Sequence, residues 1–144
     1  MALRPDLAII ADAVPSSARV LDVGCGDGEL MEALHEKGVD ARGLEIDPAN
    51  VTAAIARGQS VVQGDANRDL ADYPDNAFDY AILSQTLQTT ERPDLVVGEL
   101  LRIAPRAFVS FPNFAHWRVR LALLWGGRMP VTRLLPVAWY ETPN

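Results

Sequence analysis

The stretch LDVGCGDGEL, residues 21–30, places three glycines at alternate positions between two apolar segments. Residues 19–24 form a short β-rich run that a glycine ends, and residues 28–38 have apolar side chains at helical spacing. Glycine permits positive φ and lets a ligand approach the backbone N–H groups closely. The stretch therefore predicts a ligand-binding turn between a first strand and the helix that follows it.

The rest of the chain repeats this alternation of strand and helix. Further strands are predicted at residues 39–46, 60–65, 78–85 and 106–111, and further helices at residues 4–14, 47–58, 92–104 and 114–127. The pattern indicates one α/β domain over residues 1–144, with a mainly parallel sheet and helices on both faces. Because the fifth strand would be left as an exposed apolar edge, we expect C-terminal strands to be missing from a truncated chain.

Composition and charge exclude several classes of function. The 144 residues are 49% hydrophobic and carry a net charge of −6, and residues 1–113 hold nine basic against 18 acidic side chains. Such an acidic body disfavours a nucleic-acid partner, whereas the basic residues 114–144 suit an anionic substrate, an acidic partner or a solvated helix face. No apolar run approaches the ~18 residues of a membrane span. The single cysteine, Cys25, fits a cytoplasmic protein.

One residue of the glycine-rich turn disfavours a dinucleotide. The dinucleotide fingerprint G-x-G-x-x-G, begun at Gly24, needs a glycine at position 29, where this chain has Glu29. A carboxylate in the first turn of the helix would also compete with a pyrophosphate for the helix N-terminus. The predicted ligand therefore carries no pyrophosphate.

Two acidic residues at the ends of later strands extend this prediction. Glu45 ends the second strand, 21 residues beyond Gly24, where a carboxylate can accept hydrogen bonds from both hydroxyls of a ribose. Asp65 follows the third strand and is placed to meet an adenine amino group. Plainer interpretations stay open, with Glu45 as a surface acid and Asp65 as a cap of the next turn. Asp47 is interpreted as a helix cap, and Cys25 as a packing residue.

The segments VLDVGCGDG, GLEID, QGDA and FDYAILSQTL together resemble the successive cofactor motifs of the class I S-adenosylmethionine (SAM) methyltransferases. The resemblance implies a Rossmann-like, doubly wound sheet of order 3-2-1-4-5 that binds SAM or S-adenosylhomocysteine. Its implied contacts are Asp22, Gly24 and Gly26 to the methionine end, Glu45 to the ribose, Ile46, Asp65 and Ala66 to the adenine, and Ser84 near the methionyl group.

The second half of the chain is similar to the MetW family, through ILSQTLQ, SFPNFAHWRVRL and GGRMPVTRLLPVAWYETPN. That resemblance implies a role in methionine biosynthesis alongside homoserine O-acetyltransferase. Two functions stay open. One is SAM-dependent methyl transfer to a small molecule, and the other is a SAM-binding partner subunit without catalysis. The fold alone does not decide between them.

Side chains after the fourth and fifth strands are predicted to line the acceptor side of the site. His116 is a candidate general base, or alternatively a helix-terminus residue bonded to the backbone. Trp117 and Trp125, eight residues apart on a predicted helix, indicate core or an interface such as a homodimer. No metal-binding or serine-hydrolase motif occurs. The candidate substrate-pocket residues are Gln85, Gln88, Asn113 and Trp117.

Overall fold

The computed structural model describes residues 3–84, 92–111 and 120–125 of the chain, which form one sheet with helices packed on it. The strands are Arg19–Val23 (β1), Asp40–Glu45 (β2), Ser60–Gln63 (β3), Tyr80–Ser84 (β4), Arg106–Phe111 (β5) and Arg120–Trp125 (β6). The helices are Pro5–Ala13 (α1), Glu29–Glu36 (α2), Pro48–Ala56 (α3) and Pro93–Ile103 (α4), with a short 3₁₀ helix at Asp69–Asp72.

The sheet has the strand order β3-β2-β1-β4-β5-β6. The first five strands are mutually parallel, and their order confirms the predicted 3-2-1-4-5 arrangement. The order in which successive strands are added reverses between β1 and β4, which are parallel neighbours although two strands separate them in sequence. Ligands of doubly wound sheets bind beyond the carboxyl ends of the strands at such a reversal.

The sixth strand corrects two expectations from the sequence. Residues 120–125 lie in β6, which pairs antiparallel with the whole of β5, from Arg106 opposite Trp125 to Phe111 opposite Arg120. A helix over 114–127 is therefore wrong for this segment, and β5 is no exposed edge. Short apolar runs such as RLALLW fit strand and helix alike, and the unpaired backbone groups of β5 favour a strand here. The prediction that Trp117 and Trp125 share one helix face fails with it.

Side chains of the central strands alternate between two apolar layers. Val20 and Ile82 belong to the layer beneath α1 and α2, whereas Leu21 and Leu83 belong to the layer beneath α4. All four residues are fully buried. Each buried apolar side chain of this size stabilises the fold by about 1.5–3 kcal/mol. The fourth strand is thus buried on both faces, and the packed centre of the sheet supports the loops at its carboxyl edge.

Candidate functional site

The carboxyl ends of β1, β2 and β4 meet at one edge of the sheet. Val23 is in register with Leu44 on one side and with Leu83 on the other. Gly24 follows Val23 directly, and its N–H donates to the carbonyl of Leu44 at 2.7 Å. The glycine-rich turn therefore begins beside Glu45, in the position that the sequence predicts.

The three glycines of the turn all have positive φ, but their surroundings differ. The values are 71° for Gly24, 59° for Gly26 and 87° for Gly28. A β-carbon at Gly28 would lie 3.1 Å from Cγ of Gln59 and 3.2 Å from Cβ of Ala54. A β-carbon at Gly26 would meet no atom within 4 Å. Gly28 thus allows α2 to begin close against α3, whereas Gly26 leaves space open to a ligand.

Glu45 braces this turn with both oxygens of its carboxylate. Its Oε1 accepts the N–H of Gly26 at 2.8 Å, and its Oε2 accepts the N–H of Asp47 at 2.9 Å. The side chain is only 7% exposed, so the interpretation as a surface acid is wrong. The carboxylate joins the turn after β1 to the start of α3, and its oxygens, with two lone pairs each, also suit ribose hydroxyls.

Asp22 and Cys25 lie beneath the turn. Asp22 is in β1 with its carboxylate fully buried, in register with Gly43 and Ile82. Burial, followed by the charges of Asp22 and Glu45, raises the pKa of the Cys25 thiol well above its usual range. A thiol that stays protonated is a poor nucleophile. Cys25 belongs to the apolar layer under α1 and α2, which confirms its interpretation as a packing residue.

Asp65 adopts the capping role that the sequence left open. Its Oδ1 accepts the backbone N–H of Asn67 at 2.9 Å and the Asn67 side-chain amide at 3.0 Å. Its Oδ2 lies 3.7 Å from Nε of the exposed Arg68. Ala66 is half-buried against the layer under α4. The Asp65 carboxylate therefore orders the turn after β3, at the same edge as Glu45.

The start of α3 is defined by a side-chain cap. Asp47 accepts the N–H of Ala49 at 2.9 Å, which confirms its predicted role as a helix cap. The preceding residue, Ile46, is 57% exposed although its side chain is large and apolar. An apolar side chain held open at this edge suits one face of an aromatic ring.

A cavity of about 280 Å³ opens over the glycine turn. Besides the turn, its walls include the start of α1, the first residues of α2 and Asn50 of α3. Asp27 and Glu29 add carboxylates to this wall, and Asp27 also pairs with Arg57 at 3.2 Å. Such an acidic wall favours a cationic ligand group and disfavours a pyrophosphate. Its residues include Arg4, Leu7, Gly24, Gly26, Asp27 and Asn50.

Sequence reasoning missed Arg4 and Asn50 in this wall. Arg4 is the N-cap residue of α1, with its Nη2 3.1 Å from Oδ2 of Asp6. A cation is unfavourable at a helix N-terminus because of the helix dipole, and this is the signal that could have singled it out. Asn50 carries no such signal, since its position depends on how α3 packs.

The predicted acceptor side lies beyond the described part of the chain. Of Ser84, only the backbone is described, at the end of β4 and in register with Ser110 of β5. The remaining candidates lie outside the described residues, and their roles stay predictions: Gln85, Gln88, Asn113, His116 and Trp117.

Within residues 3–84, 92–111 and 120–125, no group of three histidine, cysteine, aspartate or glutamate side chains is placed to hold a metal ion. None of the helices described there is long and apolar enough to cross a membrane.

The sequence pattern described as "Methionine biosynthesis protein MetW" matches residues 4–144. The chain belongs to the MetW family. A second similarity is to the "Bifunctional methionine biosynthesis protein MetXA/MetW" of Rhodopirellula baltica, with 34% identity over 99% of this MetW-family chain and 24% of that protein.

Methyltransferases resemble this MetW-family chain in sequence and in fold. A ubiquinone biosynthesis O-methyltransferase of Xylella fastidiosa is 36% identical over 92% of the chain and 56% of that protein. The chain thus spans about a quarter of the first curated relative and about half of the second. The crystal structure of a SAM-dependent methyltransferase from Archaeoglobus fulgidus superposes with a TM-score of 0.68 and 25% identity, over 74% of this chain and 50% of that one. The chain therefore has the Rossmann-like fold of SAM-dependent methyltransferases.

Proposed function

We propose that this chain binds SAM or S-adenosylhomocysteine at the glycine turn, and that it transfers the methyl group of SAM to a small molecule in methionine biosynthesis. The observation that carries the proposal is the buried carboxylate of Glu45, bonded to the N–H of Gly26 beside the open space at that glycine. The names of the related methyltransferases support it.

The residues of the turn suit the two ends of such a cofactor. Asp22, Gly24 and Gly26 would hold the methionine end, whose ammonium and sulfonium are cationic and match the acidic wall. Glu45 would accept the ribose hydroxyls, as carboxylates at the end of a second strand do in this fold class. At the adenine end, Ile46 would cover one face of the ring, and Asp65 with Ala66 would contact its edge.

Methyl transfer from SAM requires little more of the protein than positioning the two reactants in line. Bound SAM supplies an electrophilic methyl group, and a rigid site can raise the effective concentration of an acceptor held in line with it. Ser84 would lie near the methionyl group, and Gln85, Gln88, Asn113 and Trp117 would line the acceptor side. His116 would accept a proton where the acceptor must lose one.

A second candidate function is a SAM-binding subunit that supports homoserine O-acetyltransferase without methylating anything. The name of the Rhodopirellula baltica relative joins MetXA to MetW, and this chain matches only 24% of that protein. Joining two modules in one polypeptide holds them at high effective concentration, which benefits modules that act together. The MetW resemblance implies that acetyltransferase as the partner, and we place both proteins in the cytoplasm.

Calorimetric titration with SAM and with S-adenosylhomocysteine tests the binding shared by both candidates. We expect the wild type to bind both ligands and not NADH. In Glu45→Gln, an amide N–H₂ replaces an oxygen that accepts a backbone N–H, so affinity falls by about tenfold or more. Glu36→Gln, which removes an exposed acid at the end of α2, serves as the matched control and keeps wild-type affinity. Failure of the wild type to bind either ligand would overturn the proposal.

Purified homoserine O-acetyltransferase then separates the two candidates. Transfer of labelled methyl groups from SAM into a small molecule, lost in Glu45→Gln, supports the methyltransferase. Co-purification with the acetyltransferase and faster acetylation, without any consumption of SAM, supports the subunit instead.

A further inference from the structure

The outer strand of the sheet, β3, is the strongest feature of the molecule that the proposed function leaves unexplained. It pairs with β2 on one side, and no other strand of the described chain pairs with it on the other. Its residues, Ser60–Gln63, include neither a charge nor a proline. Proteins usually protect an outer strand with charged residues, prolines, bulges or a covering segment. By its composition, β3 is therefore suited to pair with a further strand.

An apolar side chain lies exposed on one face of this strand. Val62 is 61% exposed. Its neighbour Val61 packs against the layer beneath α1 and α2, so Val62 points to the opposite face of the sheet. Its register partner on β2, Leu44, is buried in the layer on that face. The apolar layer thus continues outward to β3, where Val62 leaves it exposed to water.

A second exposed apolar side chain lies on the other face, on α3. Arg57, at the end of α3, pairs with Asp27 and with Glu32 of α2, which defines the side of α3 that faces α2. At 3.6 residues per turn, Ile55 lies about 160° around the helix from Arg57. It is 55% exposed, whereas its neighbour Ala54 is fully buried. Ile55 therefore lies on the side of α3 away from α2, over the outer side of β3.

The two ends of β3 differ in charge. Arg42 of β2 is exposed and in register with Ser60, at the beginning of β3. Beyond the end of β3, a β-carbon at Gly64 would lie 3.0 Å from Oδ2 of Asp69 and 2.6 Å from Cδ1 of Leu44, so the Asp69 carboxylate lies on the face of Leu44. A second copy placed antiparallel brings the cation of one end against the acid of the other. The charges are therefore complementary to those of an identical chain.

We propose that β3 pairs antiparallel with β3 of a second copy of this chain, about a two-fold axis that passes beside Val62. Residues directly opposite each other in such a pair share a face of the sheet, so Val62 meets Val62 of the second copy. In the same register, Ser60 lies opposite Gly64 of the second copy. Arg42 then faces Asp69 of the second copy across two strand spacings, about 10 Å between backbones.

Side chains supply most of the apolar area that this pairing buries. A strand of four residues contributes few backbone hydrogen bonds, so burial of exposed apolar side chains must add to them. The two-fold axis brings Val62 of both copies together on one face and Ile55 of both copies toward each other on the other face. Because the same surface is used by both copies, the contact closes on itself and gives a dimer.

Cysteine cross-linking tests the register of the pairing. Opposite residues of antiparallel strands have Cα atoms about 4.5–5.5 Å apart, within the range that a disulfide bridges. We expect Val62→Cys to form a covalent dimer in oxidised glutathione. Ile9→Cys is the matched control, since Ile9 is 48% exposed but lies on α1, and the single native cysteine, Cys25, is buried. A covalent dimer no more abundant in Val62→Cys than in Ile9→Cys would overturn the proposal.

Sedimentation of the chain over a range of concentrations tests the dimer itself. We expect the mass to rise with concentration to twice that of one chain. Val62→Lys places two like charges opposite each other and should weaken the dimer by about tenfold or more. Arg42→Glu should weaken it by about three- to tenfold, because the new carboxylate faces that of Asp69. Leu95→Lys, at an equally exposed apolar position on α4, should leave it unchanged.

Other results of the sedimentation experiment would overturn the proposal. A wild type that stays monomeric at all concentrations would show that another part of the chain, or a different protein, covers β3. Assemblies larger than a dimer would contradict a contact that closes on itself. A dimer that Val62→Lys leaves unchanged would use another surface. If Val62→Lys does not fold by circular dichroism, Ile55→Lys provides the same comparison. Neither experiment needs a cofactor, so the outcome is independent of the proposed function.

Discussion

At the scale of the residue, Glu45 ends β2 and Asp65 lies just after the neighbouring β3, and the two carboxylates act differently. Glu45 bonds to two N–H groups that belong to other segments, at Gly26 and Asp47. Asp65 bonds within its own turn, to Asn67. A carboxylate that joins two segments orders a site, whereas one that caps its own turn orders a loop. The sequence predicts both acids at the sheet edge, but only the fold shows which segments each one joins.

Two alanine substitutions should separate packing from access in the glycine turn. Gly28→Ala introduces strain at φ +87° and contacts at 3.1–3.2 Å with α3 and Gln59, so we expect a loss of about 2–4 kcal/mol in unfolding free energy. Gly26→Ala carries the strain alone, about 1–2 kcal/mol, because its β-carbon meets open space. Urea unfolding measures the stability of each variant.

Ligand titration of Gly26→Ala and Gly28→Ala should show the opposite order for the loss of SAM affinity. The added β-carbon of Gly26→Ala enters the cavity, so this variant should lose more SAM affinity than Gly28→Ala. Equal losses of stability in the two variants would contradict the distinction between a packing glycine and an access glycine.

At the scale of the element, local sequence signals predict where α3 begins but do not predict β6. The beginning of α3 follows from Asp47 and Pro48 alone, since a capping carboxylate and a proline in the first turn are local signals. Residues 120–125 carry no comparable signal. They form a strand because β5 offers an edge, and an edge is a property of the assembled sheet.

Removing the side-chain cap of α3 should lower the stability of the protein measurably. We expect Asp47→Ala to lower the unfolding free energy by about 1 kcal/mol, because the N–H of Ala49 loses its acceptor. Asp47→Asn keeps a capping oxygen and should stay within a few tenths of the wild type. Urea unfolding compares the three proteins, and an Asp47→Asn loss as large as that of Asp47→Ala would contradict the capping role.

At the scale of the whole molecule, the carboxyl edge of the sheet carries the candidate site, whereas the amino edge carries a separate stabilising ion pair. The carboxyl edge carries the turn, Glu45 and the cavity. At the amino edge, Arg19 begins β1 and joins Asp79 before β4, through its backbone N–H at 2.8 Å and its guanidinium at 3.1 Å. Stability contributed at the amino edge can therefore change without disturbing the candidate site.

This separation predicts a pH dependence. The side-chain and backbone hydrogen bonds from Arg19 lower the pKa of the Asp79 carboxyl below its ordinary value of 3.8. The native state thus favours the charged form, and its stabilisation is complete above pH 3.8 and lost as pH falls through the lower native value. The pair is exposed, so the effect is small.

Urea unfolding of wild type and Asp79→Asn across acid pH checks this expectation. The wild type should be more stable at neutral pH, and the difference should shrink steadily below pH 3.8. SAM affinity should be the same in both proteins at neutral pH. A difference in stability that does not change with pH would contradict the role of the charged carboxylate.

The sequence by itself determined the α/β class, the strand order through its resemblance, and the meeting of Gly24, Gly26, Glu45 and Asp65 at one edge. It could do so because each of these follows from local periodicity and from the direction that parallel strands share. Only the tertiary structure decided that Glu45 braces the turn, that residues 120–125 form a strand, and that Arg4 lines the cavity. These depend on contacts between segments distant in sequence, and such contacts are formed by packing and leave no local pattern.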